Sequence, residues 1–410
     1  MSNSNNPGSA PSSVLKRLRL ATALLCMTLA VLLALGFGLG RRAAWFDQYA
    51  GTGSADQAER LRVFWEAWDV MEHQFYRPAA LDYRAMTYGA VRGMLASLGD
   101  PHTTFLEPAE QLLDADRYKG EFGGIGALIA VRSGRPTLTA VGDQSPAAQA
   151  GLQVGDAISA VDGRQVAGLD LDAIDALLRG EVGSKVELTI EREQSKTLSF
   201  TLTRARIEVP SVAWQVLDGD IGYVQVTYFS ERTSAELASA LRLLQKRDVR
   251  AIALDLRGNG GGLVDSALGV LRHFLDYGVV LREVSAGGAE KRYTLPTEGQ
   301  SVNWPLAVLV DSGTASAAEI VAAAVQDRGR GKLIGERTFG KGSVQAVLTL
   351  ADGSSVHVTT AHWLSPDGHP IDGLGVEPDI AVASRGDAGY ADLVLQWATD
   401  YLSKTGPWRR

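Results

Sequence analysis

From Val209 onward the sequence repeats one unit: a short β-branched run, a turn of small residues, then apolar residues at helical spacing. Residues 221–226 lead into 233–245, residues 251–254 run through a glycine-rich turn into 263–275, and residues 305–310 turn into 315–326. Such units in series bury their apolar surface as a mainly parallel sheet covered by helices, so this half of the chain reads as an α/β core. Residues 332–336, 344–350 and 355–363 add strands, and residues 389–402 read as a closing amphipathic helix.

The preceding residues have another character. Between about 120 and 204, short β-rich runs (125–131, 137–141, 157–161, 185–190) surround one helix at 171–178, enough for one small β-rich domain with short helices. Residues 55–98 read as helical. Leu61, Phe64, Trp65, Trp68 and Met71 form one apolar stripe, and Tyr83, Met86, Ala90, Met94 and Leu98 a second. The 410 residues exceed one ordinary core. The expectation is a multidomain α/β protein: a helical segment at 41–116, the β-rich domain at 117–205, the core at 206–384 and a C-terminal helix at 385–410.

Residues 20–40 carry no charge, with Lys16, Arg17 and Arg19 before them and Arg41 and Arg42 after. At about 1.5 Å per residue this run crosses a bilayer, and it exceeds the usual signal-peptide core. Three bases ahead of it favour an N-terminus inside. We therefore expect a cytoplasmic tail (1–19), a single transmembrane signal anchor (20–40) in the inner, cytoplasmic membrane, and the remaining mass in the periplasm or another extracytoplasmic space. Cys26 is the one cysteine and lies in this run after Leu25, which is not small; it reads as an apolar helix residue, and no intrachain disulfide is available. Net charge is −7 with Lys and Arg scattered among the acids, so no nucleic-acid partner is expected.

Three motifs carry chemistry. In Asp311-Ser312-Gly313-Thr314-Ala315-Ser316-Ala317-Ala318-Glu319, a buried-type strand gives way to a small-residue turn and a helix. Ser316 then stands where unpaired helix N–H groups stabilise an oxyanion. Taken alone it reads first as an ordinary N-cap serine. In Gly340-Lys341-Gly342-Ser343-Val344-Gln345, Lys341 lies 25 residues beyond Ser316 between two strands. A serine hydroxyl needs a base, and a lysine serves if a desolvated site lowers its pKa to about 7–8. The flanking glycines fit a backbone passing close to other groups, and Gln345 is placed to orient the amine. A solvated loop lysine is the bland alternative. A phosphate loop from Gly335, Gly340 and Lys341 fails at Gly342, where a Ser or Thr is required. The third motif, Asp255-Leu256-Arg257-Gly258-Asn259-Gly260-Gly261-Gly262, brings bare N–H groups to the sheet's C-terminal edge, where α/β proteins place ligands. It lacks the lysine of a phosphate loop and the last glycine of a dinucleotide fingerprint. The six histidines form no metal spacing, and no G-x-S-x-G serine exists.

These motifs, in order, resemble the C-terminal processing peptidases, or tail-specific proteases. Gly99-Asp100-Pro101-His102-Thr103 resembles the segment that precedes the PDZ domain in that family. Ser145-Pro146-Ala147-Ala148-Gln149-Ala150-Gly151-Leu152, with Gly155-Asp156 and Val161-Asp162-Gly163, resembles a PDZ signature. Asp255-Leu256-Arg257, Ser316, Lys341, Gln345 and Gly375-Val376-Glu377-Pro378-Asp379 are similar to its protease core and closing motif. The resemblance implies an α/β protease core of crotonase-like type and a serine endopeptidase without metal or cofactor. Ser316 would be the nucleophile, Lys341 the general base and Gln345 the residue orienting Lys341. The oxyanion hole would be the N–H of Ala317 with that of Gly261 or Gly262. The PDZ domain would bind a free C-terminus through Gly123, Gly124, Ile125 and Gly126, with Leu128 near an apolar pocket, and so select substrate or gate the protease. Implied partners are unfolded or tail-exposed polypeptides, a PDZ-binding regulator, and a second copy of the chain through the helices around Trp65–Leu98 and 393–402. An inactive PDZ scaffold and an acyl-CoA enzyme on a crotonase-like core remain the alternatives.

Overall fold

A computed structural model describes residues 55–192, 196–296, 302–382 and 390–405. The proposed anchor at 20–40 lies outside them, and among the described residues no helix is long and apolar enough to cross a membrane. The chain divides into two compact units that meet between Met86 and Thr87. In the first, helix α1 (Ala55–Gln74) ends before a short 3-10 turn (Pro78–Ala80), and Trp68 stacks on Tyr83. Leu61, Trp65 and Met71 of its apolar stripe are exposed.

The second unit opens with the rest of α2 (Tyr83–Ala96), β1 (Thr104–Leu106) and α3 (Pro108–Lys119). Tyr88, Leu95 and Phe105 make a small core here. Helix α3 is absent from the sequence reading, yet its start is well signalled. Pro108 occupies the first turn, and the Glu107 N–H donates to Glu110 at 2.7 Å in a capping box. Gly120 ends it in the left-handed conformation.

Strand β2 (Glu121–Gly124) then leads into the β-rich domain. This domain holds β3 (Ala127–Arg132), β4 (Arg135–Val141), α4 (Pro146–Ala150), β5 (Ala157–Val161), β6 (Arg164–Gln165), α5 (Leu171–Leu178), β7 (Lys185–Arg192) and β8 (Lys196–Thr203). The sheet order is β3-β4-β5-β7-β8, and Leu138, Ile158, Ile174, Leu188 and Ile190 fill the core. The exit strand β9 (Ala205–Glu208) pairs antiparallel with β2, so entry and exit form a two-stranded ribbon. Arg232 fastens that ribbon to the core, reaching Glu208 at 2.6 Å and Glu121 at 3.4 Å.

The core is β10 (Val212–Leu217), β11 (Ile221–Val226), α6 (Thr233–Gln245), β12 (Ala251–Asp255), α7 (Val264–Leu271), β13 (Gly278–Ser285), β14 (Glu290–Leu295), β15 (Leu306–Val310), α8 (Ala317–Asp327), β16 (Lys332–Gly335), β17 (Ser343–Thr349), β18 (Ser355–Leu364), β19 (Ile380–Ala381) and α9 (Tyr390–Lys404). One sheet runs β10-β11-β12-β15-β16-β19, parallel from β11 onward as expected. Strands β12 and β15 are wholly buried because both faces are covered. Ile252, Leu254, Leu306 and Val308 face α6, α7 and α8; Ala251, Ala253, Ala307 and Leu309 face α9. Val394, Ala398 and Leu402 of α9 are thus turned into the sheet rather than outward, which leaves Leu393 and Trp397 exposed. A second sheet centres on β18, which pairs with β17 on one side and with β1 and β13 on the other.

Candidate active site

The site forms where β12 and β15 end at the parallel sheet's C-terminal edge. Asp311 ties the two turns together, accepting from Gly258 N–H and Gly313 N–H at 2.9 Å each. Thr314 Oγ1 donates to Leu256 O, and Ala315 N–H to Asn259 O, both at 2.9 Å. So braced, the chain turns through Ser316, which adopts φ 55° and ψ −117° at the cap of α8. A non-glycine residue in that region costs on the order of 1–3 kcal/mol, which the surrounding bonds must hold in place. A half-buried serine on a strained strand-to-helix turn presents its hydroxyl at the sheet edge.

The glycine-rich turn lies directly against it. A Cβ on Gly261 would stand 2.8 Å from Ser316 Cβ and 3.1 Å from Ala317 N. Gly261 is not free to bind an oxyanion, however, because its N–H donates to the buried Asn259 Oδ1 at 2.9 Å. Among the described residues the N–H groups of Gly262 and Ala317 carry no hydrogen bond. Gly262, at φ 135°, abuts Phe229 O so closely that a Cβ would meet it at 2.2 Å.

Glu319 joins this turn to the lysine loop. Its carboxylate is fully buried and accepts Ser316 N–H at 2.8 Å, Lys341 N–H at 2.8 Å, Gly340 N–H at 2.7 Å and the Thr338 hydroxyl. A buried carboxylate with four donors is satisfied; the same group without them would be strongly unfavourable. No sequence motif assigns Glu319 a role. Its signal was the spacing Ser316-x-x-Glu319, a capping-box pattern. The glycines beside Lys341 allow the close approach expected of them. A Cβ on Gly340 would lie 2.9 Å from Gly375 N, and one on Gly342 2.2 Å from Asp372 N.

Lys341 is half-buried, and among the described residues its amine makes no hydrogen bond or ion pair. Gln345, on β17, does not orient it here. Its amide donates to Ser343 Oγ at 2.8 Å and Thr359 Oγ1 at 3.3 Å. At the end of β12, Asp255 holds Arg257 and accepts the Tyr223 hydroxyl at 2.7 Å, and burial with that carboxylate pushes the Tyr223 phenol up. Among the described residues no His, Cys, Asp and Glu cluster fits a metal.

The expected peptide-binding residues are placed differently from one another. Gly123 and Gly124 belong to β2, in register with Arg206 and Ala205 of β9, so they are ribbon rather than an open nest. Ile125 is buried in the domain core, and its carbonyl accepts Ala147 N–H at 2.9 Å. Gly126, at φ 72°, turns the chain into β3. Leu128 is 67% exposed, on an edge strand that among the described residues pairs only with β4. An unpaired edge of that kind is what strand addition requires.

Residues 220–382 match the model of peptidase family S41, and residues 137–192 match that of the PDZ domain. The carboxy-terminal processing protease CtpA of Bacillus subtilis is 35% identical, over 77% of this chain and 67% of its own length. The carboxy-terminal-processing protease of Bartonella bacilliformis is 37% identical, over 73% and 70%. The chloroplastic C-terminal processing peptidase of Tetradesmus obliquus is 35% identical, over 77% and 72%.

Proposed function

Because this chain belongs to peptidase family S41, among its carboxy-terminal processing proteases, we propose that it cleaves unfolded or tail-exposed polypeptides through Ser316 and Lys341. It is a serine peptidase with a PDZ domain, and the match favours that reading over a bare scaffold or an acyl-CoA enzyme. The observation that carries the catalytic assignment is Glu319, whose one oxygen takes the amides of both residues and so brings the two loops to the same point.

In this reading Ser316 Oγ attacks the scissile carbonyl carbon and its proton passes to the neutral Lys341 amine. The resulting oxyanion is held by the N–H groups of Ala317 and Gly262. Collapse breaks the C–N bond as Lys341 returns the proton to the leaving amine. Water then attacks the acyl-enzyme, again giving its proton to Lys341, and Ser316 is released. Gln345 assumes its orienting role when it leaves Ser343. The PDZ domain receives the substrate's free C-terminus along β3, to select it or to gate the site. Residues 20–40 anchor the chain in the cytoplasmic membrane with the catalytic part outside.

The test is mass spectrometry of extracytoplasmic proteins from cells carrying Ser316→Ala. C-terminally extended species are expected; an unchanged set of C-termini overturns the reading. Paired free-acid and amidated peptides, titrated calorimetrically into full-length Ser316→Ala protein, report on the PDZ role, and equal affinity for both rejects carboxylate recognition.

A further inference from the structure

The turn Gly99-Asp100-Pro101-His102-Thr103 takes no part in the catalytic roles above, yet its hydrogen bonds lead to Gln345. Gly99 leaves α2 in the left-handed conformation, at φ 69°. Asp100 then closes an Asx turn across Pro101, its Oδ1 accepting His102 N–H at 2.9 Å. Its other oxygen, Oδ2, accepts the buried Thr103 hydroxyl at 2.6 Å. With its one proton given to Asp100, the Thr103 oxygen is left to accept, and it takes Thr359 N–H at 3.1 Å.

Strand β18 carries a bulge at this point. Val344 pairs with Ala361 and Gln345 with Thr359, so Thr360 is an extra residue. Bulges bend a strand and re-aim its side chains. Thr359 thereby stands opposite Gln345, where its hydroxyl donates to Asp100 and accepts Gln345 Nε2 at 3.3 Å.

A threonine hydroxyl has one proton to give, and an ionised carboxylate can only accept. The Thr359 proton therefore points to Asp100, and the Thr359 oxygen faces Gln345 as an acceptor. A terminal amide has donors on its nitrogen and acceptors on its oxygen, and its neighbours decide which way it turns. Against an acceptor, Gln345 presents Nε2. Its Oε1 is turned the other way, and among the described residues that oxygen has no hydrogen-bond partner. An oxygen can receive an amine N–H and leave the amine's lone pair open for the serine proton. A reversed amide would offer N–H groups, which occupy that lone pair.

We propose that Asp100 is a positioning residue for catalysis: through the Thr359 hydroxyl it sets the Gln345 amide with Nε2 inward and Oε1 free for the Lys341 amine. The proposal rests on the reading of Ser316, Lys341 and Gln345 given above. When Gln345 leaves Ser343, the Thr359 bond remains as the pivot that keeps the amide from turning over. In Asp100→Asn the acceptor-only group is gone, so the Thr359 proton can swing to Gln345 and the amide can reverse.

The test is steady-state kinetics on an unfolded substrate, at a temperature where circular dichroism shows each variant folded. Asp100→Asn is expected to lower kcat about tenfold, with KM within about twofold of wild type. Thr359→Val should repeat the loss, and Thr359→Ser, which keeps a hydroxyl, should recover kcat. The decisive measurement is Asp100→Asn made in Gln345→Ala, where no amide remains to be set and no further loss of kcat is expected. If Asp100→Asn does not fold, Thr359→Val takes its place in that cycle. A wild-type kcat in Asp100→Asn overturns the proposal, and so does an equal loss in both backgrounds, which is what damage to the fold alone gives. A wild-type kcat in Gln345→Ala overturns the orienting role of Gln345 and the proposal with it. Proteolysis retained by Ser316→Ala is a separate result, and overturns the Ser-Lys reading beneath both.

Discussion

The backbone amides of Ser316 and Lys341, 25 residues apart in sequence, donate to the same oxygen, Oε2 of Glu319, at 2.8 Å each. The alignment of the two side chains therefore depends on a carboxylate that bonds neither the hydroxyl nor the amine.

The pair itself is the first thing to remove. Ser316→Ala and Lys341→Ala should each lower cleavage of casein by at least about 10⁴-fold, with far-ultraviolet circular dichroism unchanged. Appreciable turnover in either variant contradicts the mechanism.

Glu319→Gln keeps the shape but replaces an acceptor-only group by one with two donors, against three backbone N–H groups and a hydroxyl. It should destabilise the second unit by about 3 kcal/mol and depress kcat more than it raises KM. Urea unfolding read with steady-state kinetics decides this, and a variant of wild-type stability and kcat rules it out.

Two neighbouring glycines should behave in opposite ways. Gly262→Ala places a methyl 2.2 Å from Phe229 O at φ 135°, and should cost about 3 kcal/mol or more together with most of the activity. Gly260 has nothing within 4 Å, so Gly260→Ala should stay within about 0.5 kcal/mol of wild type. Equal melting temperatures for the two variants would show that the close approach is not maintained in solution.

Acid should loosen the second unit by a definite route. The Thr103 and Thr359 hydroxyls hold the Asp100 carboxyl down at about 2, and those of Ser354 and Tyr88 hold Asp352 down at about 2. Both values lie below the ordinary one, so the stabilisation is complete above about pH 4 and is lost as pH falls toward 2. Asp100→Asn and Asp352→Asn should therefore melt below wild type at pH 6, with the gap closing near pH 2. A gap independent of pH would mean that the carboxylate charge is not what matters.

Local features explain what the sequence disclosed. Ser316, Lys341 and the glycines around them sit in turns whose small residues are needed by the immediate backbone, and α9 was legible because Val394, Ala398 and Leu402 recur at helical spacing. Glu319 was passed over because its partners arrive from residues 338–341, and nothing near it in sequence marks it as buried. Helix α3 is hidden for a related reason: it meets its neighbours through Gln111 and Asp116, so it lacks an apolar stripe and only its capping residues announce it. Strands β10, β13 and β14 were likewise unassigned. Gly261 and Gly262 are indistinguishable as letters, and only the bond to Asn259 separates them.

Gly124 and Ala205 are register partners in the β2–β9 ribbon, so everything from residue 125 to 204 leaves the chain and returns to it one strand spacing apart, about 5 Å. The PDZ domain is thus an insertion at the tip of a hairpin, and the connectivity of the catalytic sheets does not pass through it. A two-residue turn joining Gly124 to Ala205 would close the same ribbon, with Glu121 and Glu208 still in place for Arg232. In this architecture the PDZ module can be exchanged or lost in one genetic event while the peptidase keeps its thread.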